Sequence, residues 1–281
     1  MRLYLIGIGL NLTFVAAEFA AGLWAGSTAL LADAGHNLSD VLSLALAGGA
    51  AWLAKQSASG RRTYGFGKAT ILASLANALL LVFVAGAVAV EALRRLSAPE
   101  APEPGIVAAV AALGVVINLG TALMFMGAAK DDLNAKGAFL HMAADAAVSL
   151  GVVASAGLIA VSGAGWIDPL VGLVIVAVIL WGTWGLLKDS LNLALDAAPA
   201  HIDMTALEVW LAEQPGVTGV HHLHVWSLST TRTALTVHLV RPQGADRAFL
   251  AALSAGLKSR FGIDHATVQV EADAEDHCID C

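Results

Sequence analysis

Residues 29–54 read ALLADAGHNLSDVLSLALAGGAAWLA, and this stretch decides the fold. It exceeds the ~20 apolar residues that a helix needs to cross the hydrocarbon of a bilayer, yet Asp33, His36 and Asp40 lie inside it. A carboxylate at the centre of a spanning helix costs about 2.5–3.5 kcal/mol on insertion scales, so it is seldom kept without a partner or a task. Working outward, further apolar blocks run from the N-terminus to Trp24 and over 69–93, 105–128, 137–162 and 168–187, which makes six spans. The first resembles a signal peptide in beginning Met1-Arg2. Asn11 and Glu18 interrupt it, however, and no small-residue cleavage site ends it, so a retained span is expected.

Composition agrees. The chain has 281 residues, of which 58% are hydrophobic and 13% charged, far more apolar than an ordinary soluble protein. A net charge of −7 offers no basic stripe for phosphates, which sets nucleic-acid partners aside. Six spans put both termini on one side. Arg2, Lys55, Arg61, Arg62, Lys68, Lys130, Lys136 and Lys188 fall on that side, against Arg94 and Arg95 on the other, so both termini are expected in the cytoplasm.

After Lys188 the apolar pattern ends at Asp196-Ala-Ala-Pro199, and the rest is polar and acidic. The expected organisation is a transmembrane domain over 1–199 and a small cytoplasmic α+β domain over 200–281. In the latter, 203–213 reads as a helix, 217–228 and 232–241 as strands, 245–260 as a helix and 265–271 as a strand, an α-β-β-α-β order.

Seven of the nine histidines lie in that domain, and the two others, His36 and His141, sit in apolar helices. Each begins an H-x-x-x-D: His36 with Asp40, and His141 with Asp145. Residues four apart share a helix face, about one turn along the axis. Two such faces opposed supply two nitrogens and two oxygens, a tetrahedral set suited to zinc and poor for calcium. A helix-surface hydrogen bond or polar cement between helices would explain one such pair; the repeat in two spans favours metal. Zinc needs neutral imidazoles and ionised carboxylates, so loading the site expels protons.

The stretch Ser27 to Asp40, with His141-Met-Ala-Ala-Asp145 and His222-Leu-His224-Val-Trp226-Ser, resembles the cation diffusion facilitator family across almost the whole chain. The resemblance implies a multi-pass protein of the bacterial inner membrane, with six helices, a metallochaperone-like C-terminal domain, a homodimer and proton-coupled export of zinc. It also implies His36, Asp40, His141 and Asp145 as transport ligands, with His at the first position resembling the zinc-preferring form. In the first cytoplasmic loop Ser59, Arg62 and Phe66 stand where some bacterial relatives carry Asp and His ligands, so no metal is expected there. Thr70 stands where the family often has Glu.

Other polar residues carry weaker expectations. Asn11, Glu18, Asn77 and Asn118 could line an ion path or join helices by hydrogen bonds. Asp33 lies near the outer end of its helix, and Asp168, before Pro169, is expected to cap a helix start. In the cytoplasmic domain a three-residue loop at 229–231 would set Leu228 opposite Arg232 and His222 opposite His238. Sites in related C-terminal domains look like His222, His238 and Glu271. The tail adds His277, Cys278 and Cys281 as a further candidate, beside Asp276. No enzymatic cofactor is expected; the ligands and partners are zinc, protons, membrane lipid and a second copy. A broader exporter of cadmium, cobalt or iron is the nearest alternative. A membrane-embedded zinc hydrolase using Glu18 as base is remote, since no H-E-x-x-H helix is present. A sensor that binds zinc without moving it leaves the paired H-x-x-x-D unexplained.

Overall fold

The computed structural model describes residues 2–126 and 133–273. Lys130 and the tail group Asp276, His277, Cys278 and Cys281 lie outside the described residues, as do the side chains of Asn11 and Lys136.

Six long helices come first: α1 (Arg2–Ala25), α2 (Thr28–Ala54), α3 (Ala69–Ser97), α4 (Pro104–Met126), α5 (Leu133–Ser162) and α6 (Ile167–Ala194). Five are long and apolar enough to cross a membrane, and α1 adds the shorter apolar stretch Leu12–Ala25. They match the expected blocks to within a few residues at most ends. Contacts gather the chain into two compact units, one of Met1–Ala45 with Asn77–Gly185, the other of Leu46–Ala76 with Leu186–Cys281.

The first unit packs around small residues. Its core joins Ala25, Ala29, Ala32, Ala85, Ala111 and Ala156 to Leu30, Val107, Val152, Ile175 and Val176. In lipid there is no hydrophobic drive between helices, so close backbone approach supplies the packing. A Cβ at Gly172 would stand 3.1 Å from the backbone carbon of Thr28, so α6 and α2 meet there because Gly172 has none. The turn between α1 and α2 uses Gly26 at φ 67°.

Asp168 corrects an expectation: it caps a neighbouring helix. Its carboxylate accepts from Ser27 Oγ at 2.5 Å, from the Thr28 amide at 2.6 Å and from Thr28 Oγ1 at 2.8 Å, closing the start of α2. The Thr28 amide is one of the backbone donors that a helix N-terminus leaves without partners. Arg95 Nη1 donates to the Gly26 carbonyl at 2.5 Å, so the same turn is also tied to α3. Asp33 is fully buried, in the second turn of α2.

The second unit contains α7 (Met204–Ala212), β1 (Gly219–Ser227), β2 (Thr233–Val240), α8 (Arg247–Phe261) and β3 (Ile263–Glu271), the expected α-β-β-α-β order. Asp203 caps α7 and Asp246 caps α8, while Gly262 at φ 69° ends α8 in the left-handed conformation. The sheet runs β1-β2-β3, antiparallel then parallel. Leu235, Val237 and Leu239 bury one face of β2 against Leu207 and Leu211 of α7 and Leu253 and Leu257 of α8.

The loop between α2 and α3 packs against this sheet. Arg62 lies over the Phe66 ring at 4.7 Å, and Ser59 pairs with Arg62 through their backbones. Thr70 Oγ1 donates to the Gly67 carbonyl at 2.9 Å and accepts from the Thr230 amide at 3.0 Å. Lys68 Nζ reaches Asp196 Oδ1 at 2.6 Å, and Tyr64 meets His265 edge to face with ring centroids 5.6 Å apart.

Candidate metal centre

On α2, His36 and Asp40 stand one turn apart; on α5, His141 and Asp145 do the same. The two faces are turned toward each other. His36 Nε2 lies 3.2 Å from Asp145 Oδ1 and 3.9 Å from Asp40 Oδ2. His141 Nε2 lies 3.2 Å from Asp40 Oδ2 and 3.7 Å from Asp145 Oδ2. Imidazole and carboxylate therefore alternate around a closed ring of four. A tetrahedron with metal–ligand bonds of 2.0–2.2 Å has edges of roughly 3.3–3.6 Å; ligand atoms of His36, Asp40 and Asp145 all lie within 4.8 Å of one another, and His141, its ring centroid 6.1 Å from that of His36, reaches the group through Asp40 and Asp145. Calcium asks for more oxygens at longer range than this cluster holds.

The cluster is graded in exposure, from Asp145 with 4% of its side chain exposed to His141 with 45%. His36 Nδ1 is buried without a hydrogen-bond partner, beside a small apolar cavity lined by Gly35, Val84, Ala85 and Val176. Metal-bound histidines usually donate the second ring N–H to an acceptor; His36 is oriented here by packing instead.

A second polar group sits beside the first. Asn37 Nδ2 donates to Glu18 Oε2 at 3.1 Å, and Ser149 Oγ donates to Asp33 Oδ2 at 2.8 Å. Glu18, Asp33 and Ser149 have no exposed surface. Glu18 thus belongs to an interhelical network. Asn77 Oδ1 and Asn118 Nδ2 are buried without hydrogen-bond partners.

The cytoplasmic histidines differ from the expected register. His238 pairs with His221, where the sequence reading set it opposite His222. The hairpin counts as expected from Ser227 opposite Thr233 back to His224 opposite Thr236, and then a bulge between His221 and His224 absorbs one residue. His222 takes φ 50° there, a left-handed conformation that a few residue types, His among them, adopt more readily than most.

The bulge turns His221 inward. Its Nε2 lies 2.9 Å from Glu271 Oε2, and His238 Nδ1 lies 2.8 Å from Glu271 Oε1, an ion-pair contact whose angle falls outside hydrogen-bond geometry. Ligand atoms of His221, His238 and Glu271 all lie within 4.8 Å of one another. His222 remains alongside, its ring 4.8 Å from His221 and 5.0 Å from His238 between centroids. Desolvation would push the Glu271 carboxyl up, but hydrogen bonds from His221 and Gln269 outweigh it and hold the group below the usual glutamate value. Partial burial and the imidazoles of His221, His238 and His224 push His222 down, toward the neutral form that binds metal. His221 is the residue sequence reasoning missed: strict alternation gives it to the opposite face, and no residue announces the bulge.

Two family models match. Residues 4–193 match the cation efflux transmembrane domain, and residues 199–273 match the cytoplasmic domain of cation efflux proteins. The metal cation efflux system protein CzcD of Cupriavidus metallidurans is 38% identical over 280 residues, covering 97% of this chain and 89% of its own. The zinc transporter ZitB of Escherichia coli is 33% identical, covering 96% of this chain and 87% of its own. A Bacillus subtilis protein described as a cadmium, cobalt and zinc/H(+)-K(+) antiporter is 32% identical, covering 92% and 85%. A match over both regions, with relatives similar along nearly their full length, leaves one assignment: the chain belongs to the cation diffusion facilitator family of metal-cation efflux transporters.

Proposed function

We propose that this chain exports zinc from the cytoplasm across the bacterial inner membrane in exchange for protons, carrying the ion on His36, Asp40, His141 and Asp145. The observation that carries the reading is the closed ring of His–Asp contacts, 3.2–3.9 Å, between α2 and α5. Two carboxylates neutralise a divalent ion, and two imidazoles give the borderline-soft donors that suit zinc. The same four groups bind protons when the ion leaves, so one set serves both cargos in turn. Both termini and the second unit's sheet face the cytoplasm, in keeping with the lysines and arginines of the short loops.

The working form is a homodimer, in line with the cytoplasmic cation efflux match. His221, His238 and Glu271 take a second zinc in the cytoplasm, with His222 as an adjacent ligand. A broader range, including cadmium and cobalt, is the second reading, favoured by the description of the Bacillus subtilis relative.

The test is zinc transport into proteoliposomes with and without a pH gradient. Native protein is expected to move zinc faster with the gradient, and His36→Ala to lose that flux. Native protein that moves no zinc, or a His36→Ala variant that keeps the native rate, overturns the reading. Uptake of cadmium and cobalt under the same gradient decides between the two ranges.

A further inference from the structure

Glu18 and Asp33 pose a problem that the four-ligand site does not solve. Both are fully buried in a part of the molecule that lies in the membrane. Two hydrogen bonds reach them, from Asn37 to Glu18 and from Ser149 to Asp33. Glu18 Oε1 and Asp33 Oδ1 are left without partners. Asn37, which holds Glu18, stands one turn from Asp33 on the same face of α2, and this brings the two carboxyl groups together. Two carboxylates cannot donate to each other, so that contact becomes a bond only when one of them carries a proton.

The charges around the pair point the same way. Asp33 and Asn37 face Glu18 from α2, and beyond Asp33 stand Ser149, Asp145 and His36. Among the described residues no lysine or arginine forms an ion pair with either carboxyl; Lys68, Arg95 and Lys258 pair with other carboxylates. Two adjacent anions removed from water with no cation beside them are expensive, and neutralising one is the cheapest remedy. Glu18, on α1 and apart from the metal ligands, is the group free to hold that proton.

Position links the pair to transport. Asp33, His36, Asn37 and Asp40 follow one another along one face of α2, and Asp145 and Ser149 do so on α5. A divalent ion between His36 and Asp145 therefore sits about one helical turn, ~5 Å, from Asp33. Its two positive charges offset the repulsion that keeps Glu18 neutral.

We propose that Glu18 is a second proton-carrying group of this exporter, a neutral acid bonded to Asp33 when the four-ligand site is empty and a carboxylate that has given its proton to water when a divalent cation fills it. This rests on the exporter reading above and adds to it a proton held outside the metal ligands. The O–H bond of Glu18 breaks on loading as an O–H bond forms on the accepting water, and both changes reverse on unloading.

The test counts protons released when zinc binds to the full-length chain in lipid nanodiscs at neutral pH. Glu18→Gln keeps the shape and a donor but has no proton to give, and it is expected to bind zinc while releasing about one proton fewer per zinc than native protein. Equal release in both overturns the proposal and leaves the exporter reading standing. Native protein that binds no zinc removes both. If Glu18→Gln does not fold, the infrared carbonyl band of a protonated acid in native protein with isotope-labelled glutamate replaces it. A glutamate band that vanishes on adding zinc supports the proposal, and the absence of any such band overturns it.

Discussion

The two histidine–carboxylate clusters use the same kinds of side chain and are assembled by different rules. In the membrane, two helices each bring a residue pair fixed by the 3.6-residue turn, so His36 with Asp40 and His141 with Asp145 arrive as finished half-sites. In the cytoplasmic module, three strands each bring one side chain, and the match among them depends on register. A one-residue slip in a helix rotates a side chain by 100°, whereas in a strand it moves the side chain to the other face. Helical sites are therefore insensitive to distant structure, and strand sites inherit every bulge between the turn and the ligand.

The largest expected effect tests the first half of that comparison. Asp40→Ala or Asp145→Ala removes one of two carboxylates from the ring and leaves a divalent ion with half its neutralising charge. Changes to outer groups around a metal already cost 10–100-fold in affinity, so loss of a direct ligand is expected to lower zinc flux by at least about 100-fold. Proteoliposome uptake at saturating zinc measures it. Near-native flux in both variants would mean that the half-sites are packing pairs.

The second half is sharpened by comparing His221→Ala with His222→Ala in a background where Asp40 and Asp145 are both alanine, leaving the module to bind zinc. The bulge turns His221 toward His238 and Glu271, so in the proposed site its loss is expected to weaken zinc binding by about 100-fold and loss of His222 by less than about 10-fold. Calorimetry decides, and the reverse order would restore the unbulged register. The pH dependence follows. Zinc must displace protons from imidazoles, so affinity falls as pH drops from 7 to about 5.5. Glu271 is held below the usual glutamate range, so it stays ionised through that window, and Glu271→Gln should cost the same factor at pH 7 and at about pH 5.5. Its contribution to folding is present above the unfolded-state value and is lost as pH falls through the lower folded one.

These clusters also mark what could be read from residues alone. The six helices followed from apolar length, and the transmembrane ring from a spacing repeated in two of them. The α-β-β-α-β order followed from alternation and turn residues, and the hairpin was counted correctly as far as His224. What remained hidden was non-local. The left-handed His222 has no signal of its own, and the choice of Asp168 to cap α2 depends on α6 lying against α2. The bond between Glu18 and Asn37 likewise needs α1 beside α2.

The Asp168 cap gives the next effect in size. Asp168→Ala leaves the Thr28 amide and two hydroxyls buried without their acceptor. Losing a cap costs about 1–2 kcal/mol, and buried donors left unpaired cost about 1–3 kcal/mol each. Thermal unfolding of the purified variant in detergent is expected to show a destabilisation of about 2 kcal/mol or more, with Asp168→Asn, which keeps one acceptor, in between. An unchanged midpoint would mean that α2 starts without this carboxylate.

The smallest effect concerns the loop against the sheet. Thr70→Val keeps the shape but removes the oxygen that accepts from the Thr230 amide, and that amide is exposed enough for water to take over. The net loss is about 0.5 kcal/mol, at the low end for a hydrogen bond that solvent can replace. Hydrogen exchange of the Thr230 amide is expected to rise about two- to threefold while amides deep in β2 keep their protection. Faster exchange across the whole hairpin would mean that this one bond holds the sheet to the loop. No change at Thr230 would mean that Gly67, whose Cβ would collide with the Leu228 carbonyl, seats the hairpin by shape alone.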